Sequence, residues 1–164
     1  MKFITYSGVN QASVKNNLGK PEYSYYFVAA GYRKVLGSLG EVIEVESPEE
    51  VDLIHQSSEE PCIFLCFTPP HLAPVGLKCP TICVFAWEFD TIPNETWDDN
   101  PNNDWRLVLA DHGRTITLAN YSSDAVRRAM GDAYPVGTIP VPVWDKFESV
   151  RQAQGEIGPM KSGT

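Results

Sequence analysis

Short apolar runs alternate with longer segments of helical periodicity along most of the chain. Runs of apolar or alternating residues predict strands at Lys2–Tyr6, Glu41–Val45, Pro61–Phe67, Pro80–Phe85, Arg114–Leu118 and Val136–Val141. Apolar spacing and capping signals predict helices at Tyr23–Leu39, Pro48–Gln56, Asp104–Leu109 and Asn120–Met130. Strands that alternate with helices form a mostly parallel sheet with helices on both faces and right-handed crossovers. The pattern therefore predicts an α/β fold, a Rossmann-like three-layer sandwich.

Local signals mark the ends of several predicted helices. The S-P-E-E segment that starts at Ser47 has the form of a capping box. Asp104 is the expected N-cap of the third helix, and residues 120–123 are expected to cap the fourth. Gly40 is expected to follow the end of the first helix. The apolar face of that helix carries Val28, Tyr32, Val35, Leu36 and Leu39.

Residues 1–148 are predicted to form one Rossmann-like domain. Within it, Val9–Pro21 is a polar loop between the first strand and the first helix, and loops of this length are often functional. After Glu148 the regular pattern dissolves. Residues 149–164, rich in Gly, Ser, Gln and Lys, are therefore expected to be a tail or a truncated linker.

Candidate functional side chains gather where two predicted strands end. Ile82–Phe85 leads into Trp87 and Glu88, and Asp90 follows two residues later. His71 comes after the third predicted strand, in a turn stiffened by prolines. Because open α/β sheets bind ligands at the carboxyl ends of their strands, these four side chains are candidates for a site.

Three of these candidates also have a purely structural explanation. Trp87 would be a core anchor, Glu88 would cap a nearby helix, and His71 would be a surface residue of its turn. A carboxylate after a buried strand is costly to desolvate, so Glu88 is expected to have a partner or a functional purpose. Three tyrosines at the start of the first helix either stack on a sugar or pack the preceding loop against the sheet. They are Tyr23, Tyr25 and Tyr26.

Composition narrows the class of function. The chain has 164 residues, 43% of them hydrophobic, as expected for one globular domain with a real core. Its net charge of −8 and the lack of a basic cluster exclude nucleic acid as the expected partner. The N-terminus does not resemble a signal peptide and no apolar run is long enough for a membrane span, so we expect a cytoplasmic protein.

Four cysteines form two C-x3-C pairs, Cys62 with Cys66 and Cys79 with Cys83. A zinc site is the alternative to buried structural thiols, but both pairs lie in strand-like apolar runs and lack the tight C-x2-C spacing. We therefore expect no metal and no cofactor. The dinucleotide and P-loop glycine patterns and the G-x-S-x-G element are also missing, which disfavours flavin, nicotinamide and nucleophilic hydrolase chemistry.

Three segments of the chain, together with Trp97, resemble the N-terminal half of GT-B glycosyltransferases. They are F-A-W-E-F-D-T-I-P at 85–93, I-T-L-A-N-Y-S-S-D-A-V-R at 116–127 and V-G-T-I-P-V-P-V at 136–143. The resemblance is closest to glycosyltransferase family 4 members that carry a W-E-[LF]-x-x-[LI]-P element. It covers residues 80–147 well and residues 1–60 in outline.

The resemblance implies transfer of a sugar from a nucleotide-sugar donor to a glycan or lipid-linked acceptor. It also implies retention of configuration without a metal ion. By position it assigns catalytic roles to Glu88 and Asp90. It assigns substrate-binding roles to Gly8, His71, Trp87, Asn120 and Ser122, with Ser122 capping a helix beside the second domain.

The sequence departs from this family in having no counterpart of the donor-binding second domain. The chain is therefore expected to be the acceptor-binding half of such an enzyme, meeting the nucleotide-sugar through a missing second domain. A partner chain or a second copy is an open possibility, as is peripheral contact with a membrane. The alternative is a non-catalytic Rossmann-like domain that binds a sugar or nucleotide, or acts as a scaffold with a partner chain.

Overall fold

The computed structural model describes residues 1–9, 18–19, 23–143 and 147–156. In this part of the chain, six parallel strands form one sheet in the order β2-β1-β3-β4-β5-β6. The strands are β1 Lys2–Ser7, β2 Glu41–Glu44, β3 Cys62–Phe67, β4 Thr81–Phe85, β5 Thr115–Thr117 and β6 Val136–Thr138. The α-helices are α1 Tyr23–Leu36, α2 Val51–Ser57, α3 Trp105–His112, α4 Asn120–Met130 and α5 Glu148–Glu156. The predicted α/β fold is confirmed, and the sheet is parallel throughout.

Helices pack on both faces of the sheet. In the register of β3 and β4, Phe67 and Phe85 point to opposite faces because strand side chains alternate. Tyr32 of α1 packs edge-on against Phe67, with 5.2 Å between ring centroids. Trp105 of α3 packs edge-on against Phe85, with 5.5 Å between centroids. These contacts place α1 and α3 in different layers, as a three-layer sandwich requires.

The central strands β3 and β4 are covered on both faces, which explains their continuous apolar sequences. All four cysteines are free and buried. Burial raises the pKa of the Cys66 thiol to about 12 and that of the Cys79 thiol to about 11. Because only the thiolate is reactive, these cysteines behave as small apolar residues of the core.

The first helix is shorter than predicted. It ends at Leu36, and Val35 and Leu39 are 47% and 67% exposed, so placing them on the buried face was wrong. Gly40 does not follow the helix directly but lies at the end of the next turn. A Cβ atom there would come within 2.3 Å of the carbonyl oxygen of Met1. Glycine is therefore required by a close approach of two chain segments and not by a helix end.

The capping predictions have mixed outcomes. Ser47 does form a capping box, ahead of a 3-10 turn that leads into α2. Asp104 does cap α3, since its side chain accepts a hydrogen bond from the backbone nitrogen of Arg106 at 3.0 Å. The cap expected at 120–123 was wrong: the N-cap of α4 is Ala119, which makes no side-chain hydrogen bond.

The C-terminal region is more ordered than the sequence pattern suggested. Residues 148–156 form α5, where a tail without regular structure was expected from residue 149. The last strand, β6, ends at Thr138, before the predicted Val141. The chain then returns to α1, where the Tyr32 hydroxyl donates to the carbonyl oxygen of Ile139 at 2.6 Å. Residues 157–164, residue 22, and residues 10–17 and 20–21 of the predicted polar loop lie outside the described residues.

The connection between β3 and β4 contains a 3-10 turn, Pro70–Leu72, and no α-helix. It is held by two acidic side chains from neighbouring helices. The Asp52 carboxylate accepts hydrogen bonds from the backbone nitrogens of Lys78 and Cys79 at 3.0 Å, and Asp111 accepts one from Gly76 at 2.8 Å. The segment between the two central strands is thereby fixed without a helix of its own.

Strand order and connectivity indicate at which edge of the sheet a ligand would bind. The chain order reverses between β1 and β3, and ligands of open α/β sheets bind outside the carboxyl ends of strands near such a reversal. Within the described ranges, every helix is too short or too polar to span a lipid bilayer.

Candidate functional site

A cleft of about 450 Å³ opens at the carboxyl edge of the sheet. It lies between the first turn of α1, the segments that leave β3 and β4, and the first residue of α3. The wall is largely aromatic. Its lining consists of Ser24, Tyr25, Pro69, His71, Ala86, Trp87, Glu88, Phe89 and Trp105. Three predicted site residues, His71, Trp87 and Glu88, are thus brought together.

Trp87 is fixed in the cleft wall by its backbone and its ring. Its indole Nε1 donates to the carbonyl oxygen of Thr91 at 2.7 Å, which folds the loop after β4 back on itself. Its ring centroid lies 4.5 Å from that of Trp105 and 5.0 Å from that of Phe89. The side chain is half-buried, so Trp87 anchors the loop and also presents part of its surface to the cleft.

Ser122 fixes the backbone of Trp87 through two hydrogen bonds. Its hydroxyl donates to the carbonyl oxygen of Trp87 at 2.6 Å and accepts from the backbone nitrogen of Trp87 at 3.3 Å. Ser122 is 1% exposed and lies in the first turn of α4. The expected helix cap was wrong; Ser122 instead ties α4 to the end of β4 and positions the cleft wall.

Trp105 forms the floor of the cleft and is 2% exposed. Its ring lies nearly parallel to that of His71, with 5.9 Å between centroids and 11° between planes. In the sequence, Trp105 stands out only as the residue after the N-cap of a short predicted helix. The N-terminal end of α3 lies at the same edge of the sheet as the carboxyl ends of the strands. The bulky aromatic residue directly after the Asp104 cap is therefore the signal that could have indicated Trp105 as a site residue.

Tyr25 connects α1 to the cleft. It is buried, and its hydroxyl accepts a hydrogen bond from the backbone nitrogen of Ala86 at 3.3 Å. Tyr23 and Tyr26 instead make edge-on contacts with Phe27, each with 5.2 Å between centroids. Of the three tyrosines, Tyr25 alone is part of the cleft lining among the described residues.

Glu88 is the acidic member of the cleft lining, and it is exposed. No other described residue hydrogen-bonds its carboxylate, so the helix-capping explanation was wrong. The chain emerges into solvent after Phe85, so the exposed Glu88 carboxylate does not bear the desolvation cost that its position after a buried strand suggested. A carboxylate at the cleft mouth that no described residue hydrogen-bonds is available to a ligand.

Asp90 is not part of the described cleft lining. It lines a neighbouring depression of about 420 Å³ formed by residues 89–94 and one side of Trp87. Its backbone carbonyl accepts a hydrogen bond from the Arg128 guanidinium at 3.0 Å. Glu88 lines the cleft and Asp90 lines the neighbouring depression, and Trp87 and Phe89 line both.

Gly8 and Asn120 are exposed at the same edge of the sheet, just after β1 and at the start of α4. Neither is part of the described cleft lining. Across the described ranges, no group of three His, Cys, Asp or Glu side chains could hold a metal ion.

Comparison with protein-family models, curated proteins and solved structures gives no match. The assignment of a function must therefore rest on the chain's own residues. The arrangement offers flat aromatic surfaces, one exposed carboxylate and a rigidly held wall, which together suit a ligand with apolar faces and hydroxyl groups.

Proposed function

We propose that the cleft binds the sugar of an acceptor, and that this domain is the acceptor-binding half of a nucleotide-sugar-dependent glycosyltransferase. The observation that carries the proposal is the grouping of Trp87, Phe89 and Trp105 around the exposed carboxylate of Glu88. Sugar rings have apolar C–H faces that pack on aromatic rings, and hydroxyl groups that donate to carboxylates. The motifs at 85–93, 116–127 and 136–143 support the same assignment.

In this proposal Glu88 accepts a hydrogen bond from an acceptor hydroxyl and assists removal of its proton during transfer. Trp87 stacks on the acceptor ring and fixes its orientation relative to Glu88. The nucleotide-sugar is held by a second domain on the same polypeptide or on a partner. Four free thiols suit the reducing cytoplasm, where we place the reaction.

The binding step is tested by NMR titration of the 15N-labelled chain with methyl glycosides of glucose, galactose, mannose and N-acetylglucosamine. We expect at least one of them to shift the signals of Trp87 and Glu88. Trp87→Ala should weaken binding about tenfold, the equivalent of ~1.4 kcal/mol of lost stacking. Trp97→Ala is the matched control, because Trp97 is 45% exposed and not part of the described cleft lining.

A titration without shifts at the cleft, or with equal losses in the two tryptophan variants, would contradict the proposal. Glu88→Gln separates catalysis from binding. In an active two-domain assembly it should lower the rate of sugar transfer at least tenfold while the cleft still binds its glycoside.

The exposed aromatic ring of Phe89, 61% exposed at the cleft mouth, favours one alternative. It suits a non-catalytic binding domain whose cleft is completed by a partner chain. In that case Glu88→Gln would alter affinity for the glycoside, and no transfer activity would accompany the complex.

A further inference from the structure

The cleft and the neighbouring depression are two contiguous openings. The lining of the cleft, about 450 Å³, includes Trp87, Glu88 and Phe89, and that of the neighbouring depression, about 420 Å³, consists of Trp87 and residues 89–94. Trp87 and Phe89 therefore belong to the walls of both. Each volume lies in the range of small-molecule sites, roughly 300–1,000 Å³. A ligand that extends beyond the cleft thus meets a second surface of similar size.

The wall that the two openings share is aromatic and held in place. The indole Nε1 of Trp87 donates to the carbonyl oxygen of Thr91 at 2.7 Å, and the Ser122 hydroxyl bonds to the backbone of Trp87. The ring of Phe89 lies 5.0 Å from that of Trp87 between centroids, and Phe89 is 61% exposed. A ligand that covers Phe89 removes apolar surface from water, which favours binding.

The two openings offer the same combination of groups. Glu88 lines the cleft and Asp90 lines the neighbouring depression. Both residues are exposed, and no described residue hydrogen-bonds either carboxylate. An aromatic wall beside an available carboxylate therefore occurs twice at this edge of the sheet. A ligand built of repeated units would match this repetition.

The remaining polar residues of the two openings favour hydroxyl groups over ions. Their side chains carry hydroxyl, imidazole or amide groups, which donate hydrogen bonds as well as accept them. They are Ser24, Tyr25 and His71 in the cleft, and Thr91 and Asn94 in the neighbouring depression. Glu88 and Asp90 would repel a phosphate or carboxylate, and an ammonium group would use only the acceptors. A sugar hydroxyl both donates and accepts, so a neutral sugar suits each opening.

We propose that the acceptor is a neutral oligosaccharide, whose terminal sugar binds in the cleft and whose next sugar binds in the neighbouring depression. The inference rests on the proposed sugar-binding function and adds a second sugar subsite. Asp90 accepts a hydrogen bond from a hydroxyl of the second sugar, as Glu88 does from the first. Trp87 and Phe89 pack on the apolar C–H faces. Because the two sugars are linked, a disaccharide binds more tightly than its terminal sugar alone.

The first test compares disaccharides with their terminal sugars on the unaltered chain. The probes are the methyl glycosides of cellobiose, maltose, lactose, mannobiose and diacetylchitobiose, each paired with the methyl glycoside of its terminal sugar. In NMR titrations at least one disaccharide should bind about tenfold more tightly than its terminal sugar. It should shift the amide signals of Thr91 and Asn94 in the neighbouring depression as well as those of Ser24 and Glu88 in the cleft. Equal affinities within every pair overturn the inference.

The second test removes the carboxylate of the neighbouring depression. Asp90→Ala should weaken binding of the disaccharide about three- to tenfold and leave the affinity for its terminal sugar unchanged. The variant keeps the backbone carbonyl that accepts from Arg128. Glu95→Ala is the matched control, because Glu95 is exposed in the same loop and is not part of the described lining of either opening. Equal losses in the two variants, or equal losses for the two ligands in Asp90→Ala, overturn the inference.

The outcomes separate the two proposals. Binding of a single sugar in the cleft without a gain for any disaccharide overturns this inference and leaves the proposed function standing. If neither single sugars nor disaccharides bind, both fail. If the tetramethylammonium ion binds more tightly than any disaccharide and shifts the same signals, the two openings accept cations, and their assignment to neutral sugars is overturned.

Discussion

Asp98 and Asp99 both have left-handed backbone conformations, each with φ of 53°. They form the centre of a tight turn in which the backbone nitrogen of Asn100 donates to the carbonyl oxygen of Trp97 at 3.1 Å. This geometry corresponds to a type I′ turn, which favours Asn-Gly at its centre. For a residue with a Cβ atom the left-handed conformation is strained by about 1–2 kcal/mol.

Asp99→Gly should therefore stabilise the domain by about 0.5–1 kcal/mol, after the entropic cost of a glycine is subtracted. The midpoint of urea unfolding measures the change. Asp132→Gly is the matched control: Asp132 is also exposed in a turn but has no positive φ, so the added glycine should only destabilise. A midpoint for Asp99→Gly at or below that of the unaltered chain would refute the strain argument.

The residues of the cleft show what a sequence can indicate at this scale. Trp87, Glu88 and His71 were correctly grouped, because carboxyl ends of adjacent parallel strands meet at one edge. Asp90 lines the neighbouring depression and not the cleft, which depends on how the loop folds around the Trp87–Thr91 hydrogen bond, and no periodic pattern encodes that fold. Trp105 was missed because its burial results from rings distant in the sequence.

At the scale of elements, Asp52 links α2 to the connection between β3 and β4. Its carboxylate accepts three hydrogen bonds of 3.0–3.1 Å from the backbone nitrogens of Lys78 and Cys79. Hydrogen bonds to a charged acceptor are stronger than those between neutral groups. Because this connection has no α-helix, the carboxylate takes the place of the packing that a crossover helix would provide.

Asp52→Ala should destabilise the domain by about 2 kcal/mol, since two backbone nitrogens lose their acceptor and one of them is partly buried. Urea unfolding followed by circular dichroism gives the value. Asp124→Ala removes an aspartate that forms an exposed ion pair with Arg127, and should cost less than about 0.5 kcal/mol. Equal losses in the two variants would show that Asp52 contributes no more than a surface charge.

Local signals were sufficient for some elements and not for others. The capping box at Ser47 and the Asp104 cap were predicted because each involves groups within a few residues. The role of Gly40 was not, since the carbonyl of Met1 approaches it only after β1 and β2 have paired. The role of Ser122 likewise depends on Trp87, which lies on another element.

At the scale of the whole molecule, the buried phenol of Tyr32 and the half-buried phenol of Tyr134 link the flanks of β6 to helices in different layers. Tyr32 of α1 donates to the carbonyl oxygen of Ile139 at 2.6 Å, and Tyr134 donates to that of Leu109 in α3 at 2.7 Å. Both contacts join residues far apart in the sequence. Each needs the neutral phenol, because a phenolate has no proton to donate.

Burial raises the pKa of Tyr32 to about 12, and it also raises the pKa of Tyr134 and of Tyr6 above the usual value. A phenol whose pKa is higher in the folded chain than in the unfolded chain contributes to stability, and this contribution is fully present below about pH 10. That contribution is lost as the pH rises from about 10 through about 12, because the unfolded chain releases its proton first.

The free energy of unfolding should therefore fall steeply above pH 10, and this fall should be shallower in Tyr32→Phe. At pH 7 the same variant should be less stable by about 1 kcal/mol, because it lacks the hydrogen bond to Ile139. Urea unfolding at a series of pH values between 7 and 12 measures both effects. Tyr121→Phe serves as the control, because Tyr121 is 51% exposed, and it should reproduce the slope of the unaltered chain. The same steep slope in Tyr32→Phe would mean that other groups, not the buried phenol beside Ile139, set the alkaline limit of the fold.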